Sequence, residues 1–169
     1  MQKQNSDILK GLAAGIAGGL IGTFVMTQFQ TAVTKIAEAA NGEDKKEKKE
    51  TGENTTVKTA EAISETVFDH ELEKSEKPTA GNLVHYGFGT TMGALYGVTA
   101  ELLPATSAGY GLPFGTALFL GADEVAVPAL GLGKSPTETP LSTHAYGFAS
   151  HLVYGLTADL VRRGVRNIL

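Results

Sequence analysis

The chain contains no cysteine and no tryptophan. Without cysteine there is no disulfide framework, no thiolate metal site and no cysteine nucleophile. Basic charge is scarce as well, with 14 Lys and Arg against 18 Asp and Glu among 169 residues. Phosphate neutralisation needs a basic face, and the only compact basic group is "RRGVR", which begins at Arg162, so nucleic acid is not an expected partner. Catalytic signatures are missing too: there is no G-x-S-x-G elbow, no H-E-x-x-H and no phosphate loop. No catalytic residue is assigned, and an enzyme is not expected.

Charge is also missing from most of the length. Residues 43 to 77 hold seven of the 14 basic and 11 of the 18 acidic residues. Outside them run four apolar stretches, 8 to 34, 81 to 103, 107 to 131 and 142 to 161, each matching the ~20 residues that cross a hydrocarbon core. The expected fold is an all-α membrane protein with four transmembrane helices, lodged in the lipid bilayer. Residues 1 to 34 form the N-terminus and first span, 35 to 80 a charged loop, and 81 to 169 a three-helix membrane region with a basic C-terminus. The first apolar run is too long for a signal peptide, and "AEA" at 37 to 39 lies too far beyond it for cleavage. Within the loop, the Lys and Glu block at 43 to 50 has nothing apolar to bury. After it, Val57, Ala60, Ile63 and Val67 recur at helical spacing, which points to one amphipathic helix on the protein or the bilayer surface.

Glycine is plentiful and regularly placed. Gly11, Gly15 and Gly19 lie four apart, Gly89, Gly93 and Gly97 repeat the pattern, and Gly155 continues it in the last span. Such stripes let helix backbones approach closely in lipid, so they mark packing faces, within the chain or toward a homo-oligomer or other membrane subunits.

Ionisable residues inside spans turn inward, pair or mark a pathway. His85 and Glu101 share the glycine face of the second span, and His144, His151 and Asp159 share a face of the fourth. At 1.5 Å per residue from the long-loop side, His151 lies ~14 Å deep and Asp123 ~12 Å, while His85 and His144 lie at ~3 to 6 Å. An intramembrane polar cluster of His85, Asp123, Glu124, His144 and His151 is therefore expected. A second cluster, of Glu101, Asp159, Arg162, Arg163 and Arg166, is expected at the inner face. Adjacent helical residues point ~100° apart, so one of Asp123 and Glu124 is expected to face inward, and Asp123 matches His151 in depth. The leading reading is a polar clasp in a structural or accessory membrane protein. The alternatives are a proton or small-ion pathway and, less well supported, haem between His85 and His151. No metal site is expected, since His144 and His151 lie ~10 Å apart along one face.

With the spans laid out, His85, "YGVTAELLP" at 96 to 104, Pro128 with Gly131 and Leu132, and "HLVYGLTADLVRRGVRN" at 151 to 167 carry a resemblance. Over roughly half the chain, the sequence resembles the YagU-like family of bacterial inner-membrane proteins of unknown function. The resemblance implies an integral inner-membrane protein with cytoplasmic termini, a link to survival in acid and no assigned activity. Asp123 departs from the pattern, in which a histidine stands at that position. A count of Lys and Arg alone favours termini outside. The acidity of the long segment and the arginines at the last helix end favour termini inside, the orientation adopted.

Overall fold

Helices account for every regular element in residues 2–41 and 53–169, the residues that the computed structural model describes. The Lys and Glu block at 43 to 50 lies outside them. Helix α1, Gln2–Asn41, runs about 60 Å at 1.5 Å per residue. It is followed by α2, Glu53–Phe68, and α3, Lys77–Leu102, which starts with Pro78 in the first turn, where its missing N–H costs no hydrogen bond. A 3-10 turn, Pro104–Ser107, leads to α4, Leu112–Leu118. Without a break the chain widens into a π-helix, Phe119–Ala126, and closes with the short α5, Val127–Ala129. After a second 3-10 turn, Pro136–Glu138, α6 runs over Leu141–Ile168.

The central element is α1, packed against α3 on one side and α6 on the other, while α4 lies along α6. All these contacts are antiparallel. Glycine makes the α1–α3 seam: a Cβ at Gly93 would lie 2.6 Å from the Gly15 carbonyl oxygen, and one at Gly19 2.6 Å from that of Gly89. Real side-chain carbons do not approach backbone so closely, so this seam requires glycine. On the other side Gly18 faces Ala158 and Gly22 faces Tyr154. The turn into α4 carries Gly109, Tyr110 and Gly111 at positive φ, and a Cβ at Gly111 would also lie 2.7 Å from the Gly155 carbonyl carbon.

The distribution of side chains is inverted relative to a protein folded by apolar burial. Buried positions hold Ala14, Thr23, Ser150, His151, Asp159 and Arg162 beside the glycines, with Met26, Tyr96, Phe119 and Tyr154 as the larger apolar groups. Large apolar residues are exposed on each helix of the bundle, among them Leu20, Phe24, Leu83, Leu95, Leu120 and Leu160.

The expectation of four spanning helices needs correction on one count. Among the described residues one helix, Gln4–Ala40 within α1, is both long and apolar enough to cross a membrane. Helices α3 and α6 have the length, with 26 and 28 residues. Their average hydropathy is lowered by glycine, threonine, histidine and tyrosine, many of which face inward. The third expected stretch, 107 to 131, is 18 residues of helix in three pieces, Leu112–Leu118, Phe119–Ala126 and Val127–Ala129. Helix boundaries differ as well: α1 extends beyond residue 34, and α3 begins before residue 81.

Helix α2 packs on the first turns of α3. Its inward residues are the small Ala60 and Ser64, with Val57 against Gly81, whereas Ile63, Val67 and Phe68 stay exposed. The packing face is thus rotated from the apolar stripe expected of it. Lys77 pairs with Glu61 across the two helices. In the turn between them, the Glu73 N–H and then His70 hold the Glu76 carboxyl below its usual range.

Candidate functional site: two polar clusters

The glycine contacts fix the register of the polar residues. His85 lies one turn before Gly89, which meets Thr23 and Gly19, and His151 one turn before Tyr154, which meets Gly22. On α4 and the π-helix, Gly115 meets the backbone of His151, while Phe119 and Asp123 reach Gly147. His85, Asp123 and His151 therefore occupy one layer, within about a turn of each other. His85 is deeper relative to His151 than expected because the helix ends are not flush.

His144 and Glu124 form a tighter contact about a turn or two beyond this layer, toward the start of α6. The His144 Nδ1 is 2.6 Å from Glu124 Oε1, and its Nε2 is 3.0 Å from the Pro136 carbonyl oxygen. A carbonyl only accepts, so Nε2 carries a hydrogen and donates it. One further proton then sits between Nδ1 and Oε1, giving either an imidazolium facing a carboxylate or a neutral pair. Net charge is zero in both. Glu124 is thus compensated.

Asp123 is not held in the same way. The nearest side-chain nitrogen is that of His151, whose Nδ1 lies 3.6 Å from Asp123 Oδ2. That nitrogen is 2.9 Å from the Gly147 carbonyl oxygen and donates its hydrogen there. At 3.6 Å the carboxylate receives no hydrogen bond. Both carboxylates nevertheless turn toward α6, which corrects the expectation that one of the two faces it. The reason is the π-helix: Pro128 has no N–H for the Glu124 carbonyl, and the widened turn before it abandons the 100° step on which that expectation rests. Pro128 is the one local sign of that widening in the apolar run.

On α3, the His85 Nε2 is buried without a hydrogen-bond partner. Among the described residues no three His, Asp or Glu side chains are grouped so as to hold a metal ion.

The second cluster ties the other end of the bundle together. Asp159 is 0% exposed and receives Arg162 at 2.8 Å and Arg163 at 2.6 Å. Arg163 also donates to the Ser107 carbonyl oxygen in the α3–α4 connection. Arg166 donates to Glu101 at 2.8 Å and to Asp7 at 2.9 Å, joining α6, α3 and α1. Arg162 further lies 5.6 Å from the centre of the Tyr96 ring, itself stacked on Phe114 at 4.3 Å. The five residues expected here are brought together. Asp7 is an addition that sequence reasoning missed, because it precedes the apolar run and has no partner near it in sequence.

Between the two clusters Tyr154 donates to the Gly89 carbonyl oxygen at 2.6 Å, which locks α6 to α3. No hydrogen bond between side chains of the described residues links the His151 layer to the arginines. Gly11, Gly15, Gly19, Gly89, Gly93, Gly97 and Gly155 all lie at helix contacts.

Residues 49–160 match a family model described as a protein of unknown function, DUF1440, and this is well over half of the chain. The chain belongs to this family. No curated protein and no solved structure matches it significantly. The DUF1440 match takes in α2, α3, the π-helix and Asp159, and stops before Arg162, Arg163 and Arg166.

Proposed function

We propose that this chain is a small multi-pass membrane protein of structural or accessory type, a subunit or assembly partner of a larger membrane complex. The observation that carries the reading is the inverted side-chain distribution: glycine, hydroxyl and ion pairs inside, large aliphatic residues outside. Large exposed apolar surface marks a membrane or partner contact, and close glycine seams hold helices where no hydrophobic effect drives them together. In this reading α1, α3, the α4–π–α5 rod and α6 all cross the bilayer, up and down in turn. The resemblance to YagU-like proteins supports an inner membrane with cytoplasmic termini, the end where Arg162, Arg163 and Arg166 are pinned.

The internal ion pairs favour a clasp over a proton or ion pathway. Glu124, Asp159, Glu101 and Asp7 all hold fixed partners, and Tyr154, midway between the clusters, is committed to a backbone carbonyl. An accessory subunit should leave the membrane in company. Native mass spectrometry of the protein released in mild detergent is expected to show it bound to another subunit at fixed stoichiometry, and a lone monomer at all detergent ratios would count against the role.

A further inference from the structure

We infer that His85, His151 and Asp123 form a binding site for a single proton inside the bundle. The inference goes beyond the structural role proposed above and requires no pathway from one end of the bundle to the other.

A count of charge isolates this layer. At the far end three arginines, Arg162, Arg163 and Arg166, meet three carboxylates, Asp159, Glu101 and Asp7. Glu124 and His144 share a proton and are neutral together. What remains is one anion, Asp123, with two imidazoles in its layer. One proton delivered there brings the layer to neutrality. A second would leave an excess positive charge in a poorly solvated interior.

Hydrogen bonding leads to the same place. His151 donates its Nδ1 hydrogen to the Gly147 carbonyl oxygen, so in the neutral ring its Nε2 bears a lone pair. The His85 Nε2 is buried without a partner. Asp123 accepts no hydrogen bond, its nearest side-chain nitrogen being 3.6 Å away. An orphaned buried polar atom in a native fold marks a functional position or a bound water or ion. Here three under-used groups share one layer and lack a donor, which a proton supplies. The two imidazoles lie within electrostatic reach of each other, so a charge on one opposes a charge on the other and the pair titrates as a unit.

The remaining ionisable groups around the layer leave that balance intact. The π-helix contributes Glu124, already paired, and α6 contributes His144, Tyr146 and Tyr154. On α3 itself the Tyr86 ring lies edge-on to His85 at 6.1 Å. Helix α1 has no ionisable residue between Lys10 and Lys35, and Lys35 and Lys134 are exposed. The site opens to one side only. The Asp123 side chain is 42% exposed, whereas toward the arginines Tyr154 commits its hydroxyl hydrogen to the Gly89 carbonyl oxygen.

The test is nuclear magnetic resonance of the full chain in lipid bicelles, with nitrogen-15 histidine, titrated from about pH 4 to pH 9. The four histidines report separately, and His70, exposed in the turn before α3, is the internal reference. His85 and His151 are expected to shift together and to take up one proton between them. In Asp123→Asn, with helicity checked by circular dichroism, the proton affinity of the pair should fall by about tenfold or more while His70 keeps its midpoint. Asp123→Glu should restore most of that affinity. In His85→Gln the proton that the two rings shared should settle on His151. Two protons taken up by the pair, none taken up while the chain stays helical, or an unchanged midpoint in Asp123→Asn would each overturn the inference. If Asp123→Asn does not fold, the number of protons taken up by the unmodified chain decides alone. The titration reads the interior of the bundle, so its outcome is separate from that of the membrane reading.

Discussion

Gly93→Ala is expected to destabilise the bundle by about 1–3 kcal/mol, although alanine is the better helix former by about 1 kcal/mol. The two effects have opposite sign, and geometry decides which wins. At Gly93 the added carbon would sit 2.6 Å from both the Gly15 carbonyl oxygen and the Gly19 nitrogen. These are backbone atoms of α1, which cannot rotate away, so the helices must separate along the whole seam. At Gly87, on the same helix, a Cβ meets nothing within 4 Å, and the same holds for Gly164 on α6. Gly87→Ala and Gly164→Ala should therefore be neutral or slightly stabilising. Thermal unfolding in mild detergent, followed by circular dichroism, separates the cases. A midpoint for Gly93→Ala at or above the unmodified value would show that the seam is not set by close backbone contact.

Asp159→Ala should have a larger effect, about 3–5 kcal/mol, the range for breaking a buried ion pair by removing one partner. The loss is large because Arg162 is nearly as buried as Asp159, so its charge is left without compensation. Arg163, 40% exposed, can turn to solvent or headgroups and suffers less. The same reasoning predicts non-additivity. Asp159→Ala combined with Arg162→Leu removes the stranded charge and should recover part of the stability lost by the single variant. A double variant that is less stable than the sum of the two singles would mean that the pair is not the source of the effect.

The glycine seam and the arginine cluster are legible in the sequence because both obey helical spacing. Gly11, Gly15 and Gly19 must share a face of any helix, and so must His151, Gly155, Asp159 and Arg162. Other features depend on how one helix lies against another. Asp7 finds Arg166 only through the antiparallel register of α1 and α6. The packing face of α2 is chosen by small residues that fit beside Gly81, so the apolar stripe of Ile63 and Val67 does not reveal it. Asp123 lies beside His151 as its depth implies, whereas the turn of Glu124 toward His144 escapes residue periodicity, which assumes a regular α-helix. The count of four apolar stretches exceeds the one helix among the described residues that is both long and apolar enough to cross a membrane, because the apolar runs of α3 and α6 are interleaved with glycine, hydroxyl and charged groups that lower their average hydropathy.

The central claim is that the inverted bundle sits across a bilayer with its two ends on opposite sides. Because the chain has no cysteine, single cysteines report on it cleanly. Ala108, in the connection near the arginine cluster, and Lys134, between α5 and α6, are both exposed and lie at opposite ends of the rod. A membrane-impermeant maleimide applied from one side should label Ala108→Cys or Lys134→Cys but not both, with the other site labelled only after permeabilisation. Labelling of both positions from the same side would contradict the account.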